Sequence, residues 1–364
     1  MTQQLPEVSY ELLTEEPVPD LVDAQLDEFT LEALHTQTAQ QFDPVEASKT
    51  MAANEGRFVL GADLGGDKGA VRLFQIVNGE LITQSGYEGN VQGNDGAGYV
   101  QLLKEAAVYA EEQSICLGIS WGGPLVGTKP IYHPKAKIFF QELKDQFDGD
   151  LQRISPRVTA AVNDGPAGAI SGALQAYRQY NATNTIFVIN GGGIGTSVVK
   201  DGIVYAAEAG HVRGVDALNT YAQSTPCGVY DNSFVCLERL GANKAGIEDQ
   251  WLDKTGAYMR ARDIEDEYKA GNRFAAELYD HSALVLAHVI TGTAKAFELS
   301  LQDVNTVIVG HGGAFKFPAY GARIGQIIAA YVKAQPRLIM TKDFGATNSN
   351  ACLDGAAIAA ICNN

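Results

Sequence analysis

Four apolar stretches of this chain run straight into glycine, at Asp63-Leu64-Gly65-Gly66-Asp67-Lys68, Gly122-Gly123-Pro124, Gly191-Gly192-Gly193-Ile194-Gly195 and Gly310-His311-Gly312-Gly313. A strand that ends this way lets backbone N–H groups approach an anion closely, because no Cβ stands between them. One such turn is an ordinary hairpin tip. Four of them, the first bearing Asp63, point to a cleft that holds a nucleotide.

The turns also divide the chain into two similar runs. From residue 57 come the strands RFVLGADL, AVRLFQIV and GELITQS, a helix over 99–112, the strand SICLGISW, a loop rich in Gly, Pro and Lys, a helix over 139–151 and the strand PRVTAAV. A helix over 165–180 then leads into TIFVINGGGIGTSVV, a turn at Lys200-Asp201-Gly202 and IVYAA. Strand, glycine turn and hairpin partner thus appear a second time, a duplication rather than a short-period repeat. A helix over 272–299, the strands TVIVG and RLIM with a helix between them, and a last helix over 350–361 complete the second run. At 364 residues the chain exceeds the usual size of one core, so two α/β lobes are expected.

Residues 1–55 form a separate acidic extension. They carry twelve acidic side chains against one basic one, Lys49, and so supply −11 of the net charge of −16. Val22, Leu26, Phe29 and Ala33 recur at helical spacing, which predicts an amphipathic helix over 21–42, packed on the body or on a partner, with a plain solvated tail as the alternative. The remaining body, at −5, is nearly neutral, and the net charge of −16 argues against a nucleic-acid partner, which is bound by clustered Lys and Arg. The five cysteines are odd in number and scattered, which reads as reduced thiols. No basic-then-apolar leader and no apolar run of about 18 residues occurs, so a cytoplasmic protein without membrane contact is expected. There is no G-x-x-x-x-G-K-[ST] pattern, and INGGGIGTSVV continues into a hairpin rather than a helix, against a dinucleotide fingerprint.

Taken in order, these motifs resemble those of the ROK sugar kinases (repressor, ORF, kinase) of the actin and hexokinase-like superfamily, from about residue 58 to the C-terminus. Asp-x-Gly-Gly-Thr-Lys is matched by residues 63–68 with Asp67 for Thr, and the Asn-Asp pair at a strand end by Asn163-Asp164. Gly-Thr-Gly-Ile-Gly is matched by 191–195 with Gly192 for Thr, Gly-Glu-x-Gly-His by 207–211, a late glycine turn by 310–313, and Leu-x-Gly-Ala-Ala by 353–357.

The resemblance implies two actin-like (ribonuclease H-like) lobes with a cleft between them, the smaller made of residues 56–164 joined by the C-terminal helix 350–364 and the larger of residues 165–349. The implied activity is ATP-dependent phosphorylation of a hexose or related sugar, glucokinase-like, in a homodimer. It makes Asp164 the general base, which takes the proton of a sugar hydroxyl as that hydroxyl attacks the γ-phosphorus. Asn163, Glu208, His211 and Gly123 would contact the sugar. Asp63 would lie near a Mg²⁺ that bridges phosphate oxygens. Gly65, Gly66, Asp67, Lys68, Gly192, Gly193, Gly195, Gly312 and Gly313 would line the nucleotide. Independently, Asp164 before Gly-Pro suits an N-cap.

The family's zinc motif is matched only at His211, Cys227-Gly228 and Cys236-Leu237-Glu238, with Thr225 in place of one cysteine. A structural zinc takes four ligands, so the metal-free form is placed ahead of the zinc-bound one. His281 and His288, seven apart on an apolar helix, are expected to pack rather than ligate. Asp67 beside a polyphosphate is repulsive unless Lys68 or Mg²⁺ compensates. The stretch where the family has its Pro-Asn-Leu loop reads Tyr132-His133-Pro134-Lys135-Ala136-Lys137-Ile138, and its lysines bring anionic sugars among the candidates. These departures sustain a second reading, a non-catalytic or regulatory sugar-binding relative.

Overall fold

The computed structural model describes residues 39–65, 68–92, 94–131, 136–213, 226–227, 234–341 and 350–364. Most of the helix predicted over 21–42 lies outside the described residues. At its end Gln40 and Gln41 form a strand instead, β1 (Gln40–Gln41), which hydrogen-bonds to the sheet edge at Ile203 and Val204. Pairing with that edge satisfies backbone groups that a helix would have to satisfy internally. Helix α1 (Pro44–Ala53) follows, with Asp43 as its cap and Pro44 in its first turn.

The first run gives β2 (Phe58–Leu64), β3 (Lys68–Val77), β4 (Glu80–Gln92), α2 (Tyr99–Gln113) and β5 (Cys116–Trp121). A short hairpin of β6 (Leu125–Val126) and β7 (Lys129–Pro130), α3 (Lys137–Phe147) and β8 (Val158–Asn163) complete it. Helix α3 stops four residues before the predicted 151. Asp148 and Gly149 both adopt positive φ there, which ends the helix and sends Leu151 into a separate turn. Next come α4 (Asp164–Tyr180), β9 (Asn184–Asn190), β10 (Ile194–Lys200) and β11 (Ile203–Ala206). Four helices, α5 (Leu237–Gly241), α6 (Asp249–Thr255), α7 (Ala261–Lys269) and α8 (Arg273–Ala296), lead to β12 (Thr306–His311), α9 (Pro318–Val332), β13 (Leu338–Met340) and α10 (Ala351–Cys362). Among the described residues no helix is long and apolar enough to cross a membrane.

The duplication is exact in topology. One sheet runs β4-β3-β2-β5-β8 and the other β11-β10-β9-β12-β13, with β1 added at the β11 edge. In each, an antiparallel meander is followed by two parallel strands. Parallel strands need crossovers and are covered on both faces, and β5 is accordingly buried at all six positions. Helices α2 and α3 cover the outer face of the first sheet, and α5 to α9 the outer face of the second. Between the sheets lie α4 and α10, packed with α1 in a third cluster.

Glycine permits that central packing. A Cβ on Gly355 would run into the carbonyl of Ala167 in α4. One on Gly118 would meet the carbonyl of Ala356, and one on Gly61 that of Leu353. Backbone cannot swing aside as a side chain can, so Gly118→Ala should lower unfolding stability by about 3 kcal/mol. Gly191→Ala, with open space around its Cβ, should stay within about 0.5 kcal/mol of wild type. Equal urea midpoints for the two variants would overturn this account.

Candidate active site

Parallel strands bring their C-terminal ends to one edge, the usual place for a ligand in α/β sheets. Asp63 lies near the end of β2, opposite Ser120 of β5. Ser120 Oγ donates to Asp63 Oδ1 at 2.8 Å, and Asn350 Nδ2 donates to Oδ2. Asn350 also caps α10, accepting from Cys352 N at 3.2 Å, so the start of that helix is tied to the end of β2. Burial raises the Asp63 carboxyl above its ordinary range, against those two hydrogen bonds and the charge of Lys68.

At the end of β8, Asn163 Nδ2 donates to the carbonyl of Gly123 at 2.7 Å and its Oδ1 accepts from Gly165 N at 3.2 Å. Asn163 is therefore the cap of α4, and the cap expected at Asp164 is corrected by one residue. Asp164 is the first helical residue, its extended predecessor having already turned the chain. It accepts from Gly165 N at 2.8 Å. Burial first, and then the negative charge of Asp63, push its carboxyl up to about 6.

Glu208 follows β11 and begins the short turn Ala209–His211, in which His211 N donates to the Glu208 carbonyl at 3.0 Å. Burial pushes the Glu208 carboxyl up to about 7, with the charges of Asp164 and Glu238 adding to it. Glu238 was not among the residues assigned to the cleft from sequence. Its Oε2 accepts from Ile194 N at 3.0 Å, and a Cβ on Gly193 would strike its carboxylate. Glu238 follows directly on the Cys236-Leu237 pair, but nothing in that local pattern points to Ile194, 44 positions away, as its partner. Tyr99, whose Oη donates to the Gly65 carbonyl at 2.9 Å, was also missed and carries no local signal.

The glycine turns are placed as follows. Gly65 N donates to the Lys68 carbonyl at 3.0 Å, and Gly66 and Asp67 lie outside the described residues. Gly191 N donates to Gly193 O at 3.0 Å, leaving open space at Gly192, while Gly195 lies against Ile189. Gly312 adopts φ +104, with no room for a Cβ beside the Asn190 carbonyl, and Gly313 faces Asn243. His311 Nδ1 lies 2.7 Å from Thr341 Oγ1, and burial pushes the ring down to about 4, so it is neutral.

His211, Cys227 and Cys236 also converge. Their donor atoms lie within 4.8 Å of one another, with His211 Nδ1 at 3.7 Å from Cys227 Sγ. Burial lowers the basicity of His211 and pushes the Cys236 thiol up to about 12. The donor types suit zinc, but among the described residues three stand where a structural ion takes four. Thr225, which replaces a cysteine, and Lys135 lie outside the described residues. His281 and His288 are buried along α8, as expected.

The model of the ROK family matches residues 59–361. The chain belongs to the ROK family. No curated protein sequence matches this ROK chain. Its fold is shared with a ROK hexokinase from Thermus thermophilus (22% identity, 83% of this chain and 97% of the other, TM-score 0.61). It is shared too with a ROK family glucokinase from Streptomyces griseus in complex with glucose and AMPPNP (17%, 83% and 98%, 0.57). A ROK family transcriptional regulator, described as a homolog of the E. coli MLC protein, has a similar fold (17%, 85% and 80%, 0.57).

The raised carboxyl of Asp164 has a measurable cost. The native state holds this proton more tightly than the unfolded chain does. The favourable contribution is therefore complete below pH 4, near the unfolded pKa, and is lost as pH rises through about 6. Asp164→Asn, which never ionises, should gain stability relative to wild type between pH 4 and pH 8, on the order of 1–2 kcal/mol after allowance for solvent. Thermal unfolding at both pH values reads this difference, and a gap that does not widen with pH would refute the assignment.

Proposed function

We propose that this protein transfers the γ-phosphoryl group of ATP to a hydroxyl of a hexose or related sugar, in the manner of a glucokinase. The observation that carries the reading is Asp164, at the start of a central helix, with its carboxyl poised at about 6 beside a second carboxylate. A base of that strength takes the hydroxyl proton near neutral pH. The sugar oxygen forms a bond to phosphorus as the bond to the departing ADP breaks.

In this reading Asn163, Gly123, Glu208 and His211 hold the sugar, and the charge of Glu238 acts on Glu208 and His211 from α5. Asp63 fits a hard cation, because each of its oxygens keeps a lone pair beyond its one hydrogen bond. Mg²⁺ bound there would neutralise phosphate charge. Lys68 and the turns at 65–68, 191–195 and 312–313 suit the nucleotide, with Gly192 leaving room for backbone contact alone. Zinc at His211 is not required. The lobe boundaries at 56–164 with 350–364 and at 165–349, a homodimer, and a cytoplasmic location without nucleic-acid or membrane partners go with this reading.

A second reading, a regulatory sugar-binding protein, is favoured by Asp67 and Gly192 and by the likeness to a transcriptional regulator.

A panel of hexoses, amino sugars and sugar acids with ATP and Mg²⁺, read by ADP release, separates the two. At least one sugar should release ADP, with kcat/KM falling below pH 6. Asp164→Asn should lower kcat by ~10²–10⁴-fold while the sugar still raises the thermal midpoint. A sugar that stabilises the protein with no ADP release from any member would leave the regulatory reading standing.

A further inference from the structure

Asn190 is the last residue of β9, pairs across the hairpin with Ile194, and is fully buried. An amide at such a position costs free energy unless every donor and acceptor is met. Here they are met. Asn190 Nδ2 donates to Tyr320 Oη at 2.8 Å and to the Gly241 carbonyl at 3.3 Å, and Oδ1 accepts from Asn243 N at 3.1 Å. Ser282 Oγ spends its one proton on the Gly241 carbonyl at 2.6 Å, so at 2.8 Å from Tyr320 Oη it must accept. The direction of every bond is fixed, from Tyr320 to Ser282 and from Asn190 to Tyr320. Burial raises the Tyr320 phenol, which keeps it protonated for this task.

The network joins four separate pieces of chain at the base of the Gly191–Gly193 turn. Asn190 lies on one arm of the hairpin. On the other arm, Ile194 N is held by Glu238, which belongs to the same short helix as Gly241. The Gly312 turn packs on the Asn190 carbonyl itself, and Asn243, whose N–H bonds Asn190, faces Gly313. A hairpin with a glycine tip has weakly specified geometry, and hydrophobic packing alone would not fix where its N–H groups point.

We propose that Asn190 is a positioning residue for the nucleotide, with Tyr320 as its anchor. Through it the two glycine turns at 191–195 and 310–313 are held in one fixed relation. The inference rests on the kinase reading above and adds to it a residue that touches neither sugar nor phosphate.

Tyr320→Phe keeps the ring and removes only the hydroxyl, and Asn190→Leu removes the amide at similar volume. If Asn190→Leu fails to fold, Tyr320→Phe decides the question. Ile327→Val trims the same helix α9 away from the network and serves as the stability control. The expected result is a rise of about tenfold in the KM for ATP for Tyr320→Phe, with sugar KM within about twofold and a matching loss of AMP-PNP affinity by calorimetry. Ile327→Val should lower the thermal midpoint and leave the KM for ATP unchanged. An ATP KM unchanged in Tyr320→Phe, or one that moves in parallel with the sugar KM, overturns the proposal alone. A wild-type protein that binds no nucleotide overturns both the proposal and the kinase reading.

Discussion

Helix α10 lies with Gly355 against the carbonyl of Ala167 in helix α4, and with Leu353 and Ala356 over Gly61 and Gly118 of the first sheet, so that two helices and a sheet meet backbone to backbone. The site depends on this contact. It brings together the starts of α4 and α10, each capped by an asparagine, beside the end of β2. Asn350 reaches Asp63 from one helix start, and Asp164 stands at the other. An added methyl group at any of these glycines would meet a carbonyl of the facing backbone and push the helices out of place.

The cleft that results is an accumulation of negative charge in low dielectric. Asp63, Asp164 and Glu208 each hold their protons more tightly than free carboxyls do, and Asp164 and Glu208 each feel a neighbouring carboxylate. Burial is the first cause in every case, and for Asp164 and Glu208 repulsion by a neighbouring carboxylate follows it. The arrangement costs stability at neutral pH and makes Asp164 basic enough to take a proton there. The helix start helps to hold it in place, since Gly165 N bonds both Asn163 and Asp164.

Much of this was legible in the chain. The two meanders follow from alternating apolar strands with glycine between them, and Asn163, Asp164, Glu208 and His211 stand in motifs short enough to recognise. Local signals failed where an element's end depended on one backbone conformation, as at Asp148-Gly149, or where a strand formed only because a partner edge was present, as at Gln40 and Gln41. They failed also for Glu238, Tyr99 and Asn190. Each acts through a hydrogen bond to a residue between 34 and 130 positions away, and no local pattern encodes such a partner.

The sequence by itself determined the duplicated α/β plan, the glycine turns and the acids beside them, because strand alternation, turn chemistry and charge are properties of neighbours in the chain. Only the tertiary structure decided that Asn163 rather than Asp164 caps the central helix. It alone brought Glu238 against the Gly193 turn, His211 to Cys227 and Cys236, and Asp63 close enough to Asp164 to raise its carboxyl. Those outcomes turn on distances of a few ångströms between segments far apart in sequence, and on the loss of water around them. Such quantities exist only once the two sheets have closed on α4 and α10.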